Sequence, residues 1–340
     1  MIKRRGKEFL SGLAFVLAAV LSLHLTAAVL RPAHTDYGST WTAYLCEPEN
    51  SIDVLFLGSS YAYCDWNPSV IYEVSGLTSY VMAGSEQTPA LTYWYLREAL
   101  ETQHPQAVVM EVTSAFFQRY QNYTQINVVY MPWGKNRLGA IFEASEPDKR
   151  LGLCFDLWFY HDRWKELTLS DFKKVVTPPQ ADQKKGHTAI PVVFDQLEGG
   201  PFYRESIPDE LYQQNLTDVL RIAALCETED IDLIFTINPT YTQCTAEAYA
   251  QLERDLAVGA PQARFYNWAN NFEAAGLDVT RHLSDAGHFN QEGAAVFSAY
   301  TGGFLRELGY EPQAQPTENQ AAWENSARHW REVLDSAEGV

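Results

Sequence analysis

Short apolar runs alternate with helical patterns along most of this sequence, and this alternation constrains the fold more than any other feature. Five apolar runs predict strands, at residues 52–57, 80–83, 107–112, 232–237 and 264–268. Helical patterns lie at residues 90–100, 209–227 and 291–308. Strands that are apolar on both faces must be covered on both sides. The sequence therefore predicts an α/β fold in which helices cover both sides of a parallel five-stranded sheet.

The N-terminus has the pattern of a membrane anchor. Four basic residues lie within residues 1–8, and an apolar stretch follows at 9–30. About 20 such residues span a bilayer as a helix. Because basic flanks stay in the cytoplasm, the tail is predicted to be cytoplasmic and the C-terminal domain extracytoplasmic. The alternative is a cleaved signal peptide, with Thr-Ala-Ala at 26–28 as a compatible cleavage site. The length of the apolar stretch favours an uncleaved anchor.

The charge of the chain excludes one class of partner. Its 340 residues carry a formal net charge of -18. The part beyond the anchor holds 21 basic and 42 acidic residues, a net of -21. Nucleic-acid binding requires a basic surface, so no nucleic-acid partner is expected.

The cysteines do not indicate a metal site. They are Cys46, Cys64, Cys154, Cys226 and Cys244. None forms a CxxC pair, and no Cys/His cluster has the spacing of a zinc site. A disulfide between Cys46 and Cys64 and unpaired buried cysteines are both compatible with the sequence.

The remaining boundaries follow from composition. Residues 31–50 are predicted to be a linker, and residues 51–310 a folded domain with a long insertion at 114–208. The insertion is rich in aromatic residues, and loops of this length usually carry function. It is either a lid or subdomain over the strand ends or a packed structural insertion. Residues 311–340 are predicted to be a polar extension that ends in a helix.

A polar cluster in the insertion is a candidate substrate-binding site. His161, Arg163 and Trp164 lie close together in the sequence. They could bind an anionic group or a glycan. The alternative is a set of surface polar residues beside a buried aromatic ring.

The strongest chemical signal follows the first predicted strand. Gly58, Ser59 and Ser60 lie where parallel sheets bind their ligands. A serine becomes nucleophilic when a base takes its proton, and that base needs a third group to orient it. Asp285 and His288 lie three residues apart in a loop before the last helix, so the carboxylate can reach Nδ1 while Nε2 faces a third group. Taken alone, each block would more often be an ordinary turn or loop.

Together, the two blocks resemble the SGNH/GDSL hydrolases. Gly-Ser-Ser at 58–60 and Asp-x-x-His-x-Asn-x-x-Gly at 285–293 are similar to that family's first and last blocks. The resemblance covers about residues 50–310 and implies a three-layer α/β/α fold of flavodoxin-like form. The Gly-Ser-Ser form and the N-terminal anchor are closer to the exported branch. That branch includes the D-alanine transfer protein of teichoic-acid synthesis and the alginate O-acetylation proteins.

The resemblance implies a role for each matching residue. It implies Ser60 as the nucleophile, with Ser59 as the fallback, His288 as the general base and Asp285 as the acid that orients it. It also implies that backbone N–H groups of Ser60 and of a residue after the second strand stabilise the oxyanion. Gly84 is the candidate for that second residue.

One block of the family is missing. Residues 109–114 read Val-Met-Glu-Val-Thr-Ser where relatives carry an asparagine that lines the oxyanion hole. Asn238, at the end of the fourth strand, is a candidate replacement that no motif marks. Asp278 and His282 form a rival pair whose spacing fits the family less well. Cys64 is a rival nucleophile with no local histidine.

Two hypotheses about function follow. The first is a membrane-anchored extracytoplasmic serine esterase or O-acyltransferase that acts on acyl groups of a cell-envelope glycan or related polymer and needs no metal or cofactor. The resemblance implies a membrane-bound O-acyltransferase as a partner, and the acidic charge favours a neutral glycan. The second hypothesis, supported by the missing asparagine block, is an inactive accessory or glycan-binding protein. A lipase-like esterase is a weaker third alternative.

Overall fold

A computed structural model of the chain describes residues 2–32, 41–194 and 199–337, with side chains from residue 7 to residue 335. Its strands are β1 (Val54–Gly58), β2 (Ser79–Ala83), β3 (Ala107–Glu111), β4 (Phe202–Tyr203), β5 (Asp232–Ile237), β6 (Thr242–Gln243) and β7 (Arg264–Asn267). Five of them form a parallel sheet in the order β2-β1-β3-β5-β7, and β4 pairs with β6 in a second small sheet. The predicted α/β fold with a parallel five-stranded sheet is therefore confirmed.

Helices occupy most of the remaining described residues. The α-helices are α1 (Ile2–Leu30), α2 (Trp41–Tyr44), α3 (Ser60–Tyr63), α4 (Pro68–Ser75), α5 (Pro89–Ala99), α6 (Thr124–Tyr130), α7 (Lys135–Ala144), α8 (Arg150–Leu153), α9 (Asp156–Tyr160), α10 (Leu169–Val176), α11 (Asp209–Thr228), α12 (Ala246–Gly259), α13 (Gln291–Glu307) and α14 (Thr317–Ala337). Two short 3₁₀-helices are Thr113–Phe116 and His161–Glu166.

Side chains of the sheet alternate between two apolar cores. Leu55 and Leu57 of β1 point to the face that α5, α11 and α12 cover. Val54 and Phe56 point to the opposite face, where α3, α4 and α13 lie. All residues of β1, β2 and β3 are buried, which explains why these strands read as continuous apolar runs. The sheet is the middle layer of three.

The strand order determines where a ligand can bind. The chain crosses from β1 to β2 on one side and then to β3 on the other, so β1 lies at the point where the order reverses. Ligands of open parallel sheets bind beyond the carboxyl ends of the strands at such a point. Gly58 ends β1 there, in register with Ala83 of β2.

Residues 41–50 belong to the folded domain and not to the linker predicted at 31–50. Trp41 and Tyr44 of α2 are buried. The Tyr44 ring meets the Tyr80 ring of β2 edge to face, with centroids 4.9 Å apart. Aromatic side chains buried in this way fix a segment on the domain. The rest of the predicted linker, residues 33–40, lies outside the described residues.

The C-terminal extension predicted at 311–340 also packs on the domain. Its end forms α14, as predicted, and buries Trp323 and Trp330 against the rest of the chain. Lys185 of the insertion places Nζ 4.8 Å from the Trp323 ring centroid and 2.6 Å from Oε1 of Glu47. The extension, the insertion and the segment after α2 therefore meet in one buried contact.

One part of the insertion predicted at 114–208 is packed into the core, and a later part reaches the ends of the strands. Val128 of α6 and Ile141 of α7 extend the core beside α5, which is a structural role. α9 and α10 pack against α1. The later part reaches the strand ends, where the N–H of Thr188 donates to the carbonyl of Tyr63 at 2.8 Å.

The helix α1 is long and apolar enough to cross a membrane. Its span Lys7–Leu30 has 24 residues, and an 18-residue stretch within it has a mean hydropathy of 2.4 and is almost wholly exposed. A helix of this kind near the N-terminus is consistent with a single-pass anchor or a signal sequence. The basic tail predicted at 1–8 is helical from Ile2, and Met1 lies outside the described residues.

All five cysteines are unpaired. Cys64, Cys226 and Cys244 are buried, and Cys46 and Cys154 are partly exposed. The disulfide between Cys46 and Cys64 that the sequence permitted is not formed in the structure. The fold is therefore held by packing and not by cross-links.

We predict that Gly58→Ala destabilises the protein by roughly 1–3 kcal/mol. Gly58 has a φ of +147°, and an added Cβ would lie 3.1 Å from Cβ of Ala62 and from Cβ of Glu111. Chemical unfolding of the full chain in detergent measures the change. Gly303→Ala in α13 is the matched control, since no atom lies within 4 Å of its added Cβ. Equal stability of the two variants would contradict the prediction.

Candidate active site

The structure brings Ser60, His288 and Asp285 together at the carboxyl end of β1. His288 Nε2 lies 2.7 Å from Ser60 Oγ. His288 Nδ1 lies 2.9 Å from Oδ1 and 2.8 Å from Oδ2 of Asp285. A nucleophile within hydrogen-bond reach of a base, and a base held by a third group, is the arrangement that activates a serine.

Local backbone geometry exposes one serine and buries the other. Gly58 has a positive φ, which turns the chain sharply at the end of β1. Ser59 follows and is fully buried, with no hydrogen-bond partner for Oγ among the described residues. Ser60 is the first residue of α3 and is partly exposed. Of the two serines, the structure places Ser60 against the histidine.

A tight loop before α13 positions the base. Oδ1 of Asp285 accepts hydrogen bonds from the N–H groups of Gly287, at 2.6 Å, and His288, at 2.9 Å. Asn290 caps α13 by accepting from the N–H of Gly293 at 2.9 Å. Partial burial raises the pKa of Asp285, but the hydrogen bonds from His288 and Gly287 outweigh it and hold this pKa below its usual value. Asp285 therefore stays ionised and can stabilise a protonated His288.

Tyr61 and Arg204 form a stacked group beside His288, and no sequence pattern pointed to it. The Tyr61 ring stacks on the His288 ring, with centroids 5.1 Å apart and planes at 22°. The guanidinium of Arg204 donates to the Tyr61 hydroxyl and lies 5.3 Å from the ring centroids of Tyr61 and Phe117. The N–H of Arg204 donates to the carbonyl of Gln243 at 2.8 Å, which extends the small β4–β6 sheet. The insertion thus places a cation against the tyrosine ring that stacks on His288.

Gly84, the predicted second donor to the oxyanion, directly follows β2. It follows Ala83, which is in register with Gly58, so its backbone lies next to the nucleophile turn. An added Cβ would lie 2.5 Å from Oδ1 of Asn127, a buried residue of α6 whose Nδ2 donates to the carbonyl of Ser85 at 2.8 Å. Only glycine fits between the turn and this amide. Asn127 was not predicted, because nothing in the sequence links the insertion to the second strand.

Asn238 does not have the geometry of an oxyanion donor. It is buried, and its Nδ2 donates to the carbonyl of Tyr61 at 3.0 Å and to Oδ2 of Asp65 at 3.1 Å. The N–H of Phe289 donates to Oδ1 of Asp65 at 3.4 Å. Because both amide protons of Asn238 are used, the oxyanion role predicted for it is replaced by a structural one. This network joins the backbone after Ser60 to the backbone after His288.

Two buried carboxyl groups lie beneath α3, and sequence reasoning missed both. Burial raises the pKa of Asp65 well above its usual range. Burial also raises the pKa of Glu111, at the end of β3, to about 7, although hydrogen bonds from Thr113 oppose this. Oε1 of Glu111 accepts from the N–H of Thr113 at 3.1 Å and from its hydroxyl, while Oε2 has no partner among the described residues. Glu111 lies within residues 109–114, where the resemblance implied an asparagine block.

The rival candidates have other roles. Asp278 binds Thr280, and its backbone N–H donates to Nδ1 of His282 at 2.9 Å, so these two side chains do not form a carboxylate–imidazole pair. Burial raises the pKa of the Cys64 thiol well above its usual value, which keeps it protonated and poorly nucleophilic. Across residues 7–32, 41–194 and 199–335, no group of three or more His, Cys, Asp or Glu could hold a metal ion.

The predicted substrate-binding cluster lies against the anchor helix. Arg163 donates to the carbonyl of Leu30 at 2.6 Å and to Asp171 at 2.9 Å. Nδ1 of His161 lies 2.6 Å from the carbonyl of Trp158, and Trp164 is exposed. The structure therefore assigns Arg163 to the end of α1 and does not bring these residues to Ser60.

No family model and no curated protein matches the chain. Similar solved structures include a protein from Bacteroides fragilis described as an acylhydrolase, with 12% identity and a TM-score of 0.38, covering 78% of this chain and 93% of that one. Another is a GDSL-like lipase from Bacteroides thetaiotaomicron, with 11% identity and a TM-score of 0.35, covering 75% and 88%. The function of this chain is therefore inferred from its own residues.

We predict that Glu111→Gln gains stability relative to the native protein as pH rises from 5 to 8. Between the usual pKa and about 7, the folded state keeps a proton that the unfolded state has released, so the native protein loses stability as pH rises. Glutamine does not titrate, so the variant has no such loss. The free energy of unfolding of the variant should therefore rise relative to that of the native protein by roughly 3 kcal/mol from pH 5 to pH 8.

Chemical unfolding of the full chain in detergent at pH 5, 6, 7 and 8 measures this difference. Glu253→Gln, on the exposed face of α12, is the matched control and should show a constant difference. A difference for Glu111→Gln that does not change with pH would show that the carboxyl group is already ionised in the folded protein.

Proposed function

We propose that this protein is a serine esterase or O-acyltransferase that works through Ser60, His288 and Asp285. The observation that carries the proposal is the continuous set of contacts from Ser60 Oγ through His288 to Asp285, all within 2.9 Å. The resemblance to the SGNH/GDSL hydrolases, which rests on the same residues, supports it.

The reaction has two steps. Ser60 Oγ attacks the acyl carbonyl while His288 Nε2 takes its proton, and Asp285 stabilises the imidazolium that forms. The tetrahedral intermediate collapses when the ester C–O bond breaks, and His288 returns the proton to the departing alcohol. Water or a sugar hydroxyl then attacks the acyl-Ser60 ester with His288 again as the base, which releases a carboxylic acid or a new ester.

Backbone donors are proposed to stabilise the oxyanion. Ser60 begins α3, so its N–H has no acceptor within that helix. The N–H of Gly84, on the neighbouring turn, is the second proposed donor. Such donors are effective because they are already oriented when charge develops. The asparagine of the family is not required in this arrangement.

The proposed substrate is an acyl group on a neutral cell-envelope glycan. Phe202 and Tyr203 are exposed and directly precede Arg204, so aromatic faces for sugar rings lie beside the site. The acidic charge of the chain disfavours a polyanionic polymer. With α1 as a single-pass anchor, the domain would act outside the cytoplasm, where the resemblance suggests a membrane-bound O-acyltransferase as a partner.

We predict that a fluorophosphonate probe labels Ser60 and that Ser60→Ala abolishes the labelling. The same variant should lower kcat for cleavage of a short-chain aryl ester by roughly a thousandfold or more, because the nucleophile is lost. Mass spectrometry of the labelled peptide and a spectrophotometric ester assay measure these effects.

Ser59→Ala is the matched control, since it removes a buried hydroxyl that has no partner. It should keep both labelling and turnover. A folded native protein that is never labelled would favour the accessory, glycan-binding alternative. Labelling that survives in Ser60→Ala would disprove the assignment of the nucleophile.

We predict that neutral oligosaccharides accelerate release of the acyl group from Ser60. If a sugar hydroxyl resolves the acyl-enzyme, release should rise at least about fivefold over release in water alone, and an acylated sugar should form. Rapid-quench mass spectrometry of the acyl-enzyme, with glycerol as the control alcohol, measures both. Release that does not depend on the oligosaccharide would identify the protein as a hydrolase.

A further inference from the structure

Part of the insertion is bonded to the end of the apolar helix. Arg163 donates to the carbonyl of Leu30 at 2.6 Å, and Lys174 Nζ donates to the carbonyl of Val29 at 3.0 Å. The last carbonyls of a helix have no partner within it, and cations there are favoured by the helix dipole. Leu30 itself is buried in the main core. These contacts fix the C-terminal end of α1 to the domain.

The same part of the insertion extends down the side of α1. A cleft of about 850 Å³ lies between them, with Leu23 and His24 on one wall and Phe155 and Trp158 on the other. At 1.5 Å per residue, Leu23 lies about 10 Å below Leu30 along the helix. A helix crosses the hydrocarbon core of a bilayer in about 20 residues. If the crossing begins at Lys7, it ends near residue 26. The wall of the cleft therefore begins at the depth of the acyl chains.

Exposed apolar side chains are concentrated in this part of the chain. Outside α1, eighteen large hydrophobic side chains are exposed among the described residues, and seven of them lie within residues 150–176. These are Leu151, Phe155, Trp158, Trp164, Leu169, Phe172 and Val176. Such a concentration on a water-facing surface marks an interaction site. Tryptophans are also enriched where a protein meets the membrane interface.

α10 has the pattern of an interfacial helix. Leu169, Phe172 and Val176 are spaced along one side and are exposed, at 79%, 54% and 82%. Asp171, which binds Arg163 and Lys174, lies on the buried side. A helix that turns an apolar side outward and buries its carboxylate fits a lipid surface better than water.

The charge of this segment differs from that of the chain. Residues 150–176 hold five basic and four acidic residues, a net of +1, whereas the whole chain has -18. A weakly basic surface on a strongly acidic protein avoids repulsion from anionic lipid headgroups. The charge of this segment is therefore compatible with a bilayer surface.

We propose that residues 150–176, the membrane-facing segment, lie in the outer lipid interface beside α1, with their exposed apolar side chains among the lipids. The proposal rests on α1 being a retained membrane anchor, as in the proposed function, and is independent of the chemistry at Ser60. The domain is then held to the bilayer at two places, which fixes its orientation. The cleft beside Leu23 is filled by lipid.

Photo-crosslinking of the full chain in lipid nanodiscs tests this proposal. Benzoylphenylalanine replaces Trp158 or Phe172, and Val258 of α12, which is 84% exposed, is the matched control site. Nanodiscs of phosphatidylethanolamine and phosphatidylglycerol supply the lipid. After irradiation, intact mass spectrometry should show lipid adducts at positions 158 and 172 in at least about fivefold higher yield than at position 258.

Each outcome decides the proposal. Yields at 158 and 172 no higher than at 258, in variants that unfold at the native temperature, would overturn it. Irradiation of intact cells that yields adducts with another protein, and none with lipid, would also overturn it. The surface would then bind a protein. Loss of α1 from the mature protein, visible in the intact mass, would remove its basis. Adducts that persist in Ser60→Ala would support the interface whatever the outcome at the catalytic site.

Discussion

The contact between Ser60 and His288 depends on the packing of α13 on one face of the sheet. The two residues are 228 positions apart, and each lies at the end of a rigid element: Ser60 after β1 and His288 before α13. The packing of α13 against α4, and of its apolar side on the core beside Phe56, holds the His288 loop over the end of β1. A displacement of about 1 Å between these elements would break the 2.7 Å contact. The core therefore holds the proposed catalytic residues in place.

Buried polar groups beneath that contact fix the orientation of the two elements, which apolar packing alone does not. Asp65 and Asn238 are buried and bind both the backbone after Ser60 and the backbone after His288. Packing fixes the distance between two elements, and directional hydrogen bonds fix their rotation and register. Glu111 adds a third buried polar group on the same side, next to Gly58. The site is thus supported by a group of buried polar side chains within an apolar core.

Short local patterns were enough to predict the sheet and to identify the residues of the proposed triad. Apolar runs identify the strands, and the Gly-Ser-Ser and Asp-x-x-His spacings depend only on neighbouring residues. Arg204, Asn127 and Glu111 could not be found in this way, since each joins the site through a contact between distant segments. Asn238 failed as an oxyanion donor for the same reason: its partner Asp65 lies 173 residues away. Residues 41–50 were assigned to the linker because the burial of Trp41 is visible only in three dimensions.

The separation of the triad along the chain has a consequence for the assembly of the protein. If the chain leaves the cytoplasm in order of synthesis, Ser60 emerges long before His288. A serine without its base is a weak nucleophile. Under the proposed mechanism, reactivity would thus arise only when nearly the whole domain has been made and folded, so an incomplete chain would not attack esters.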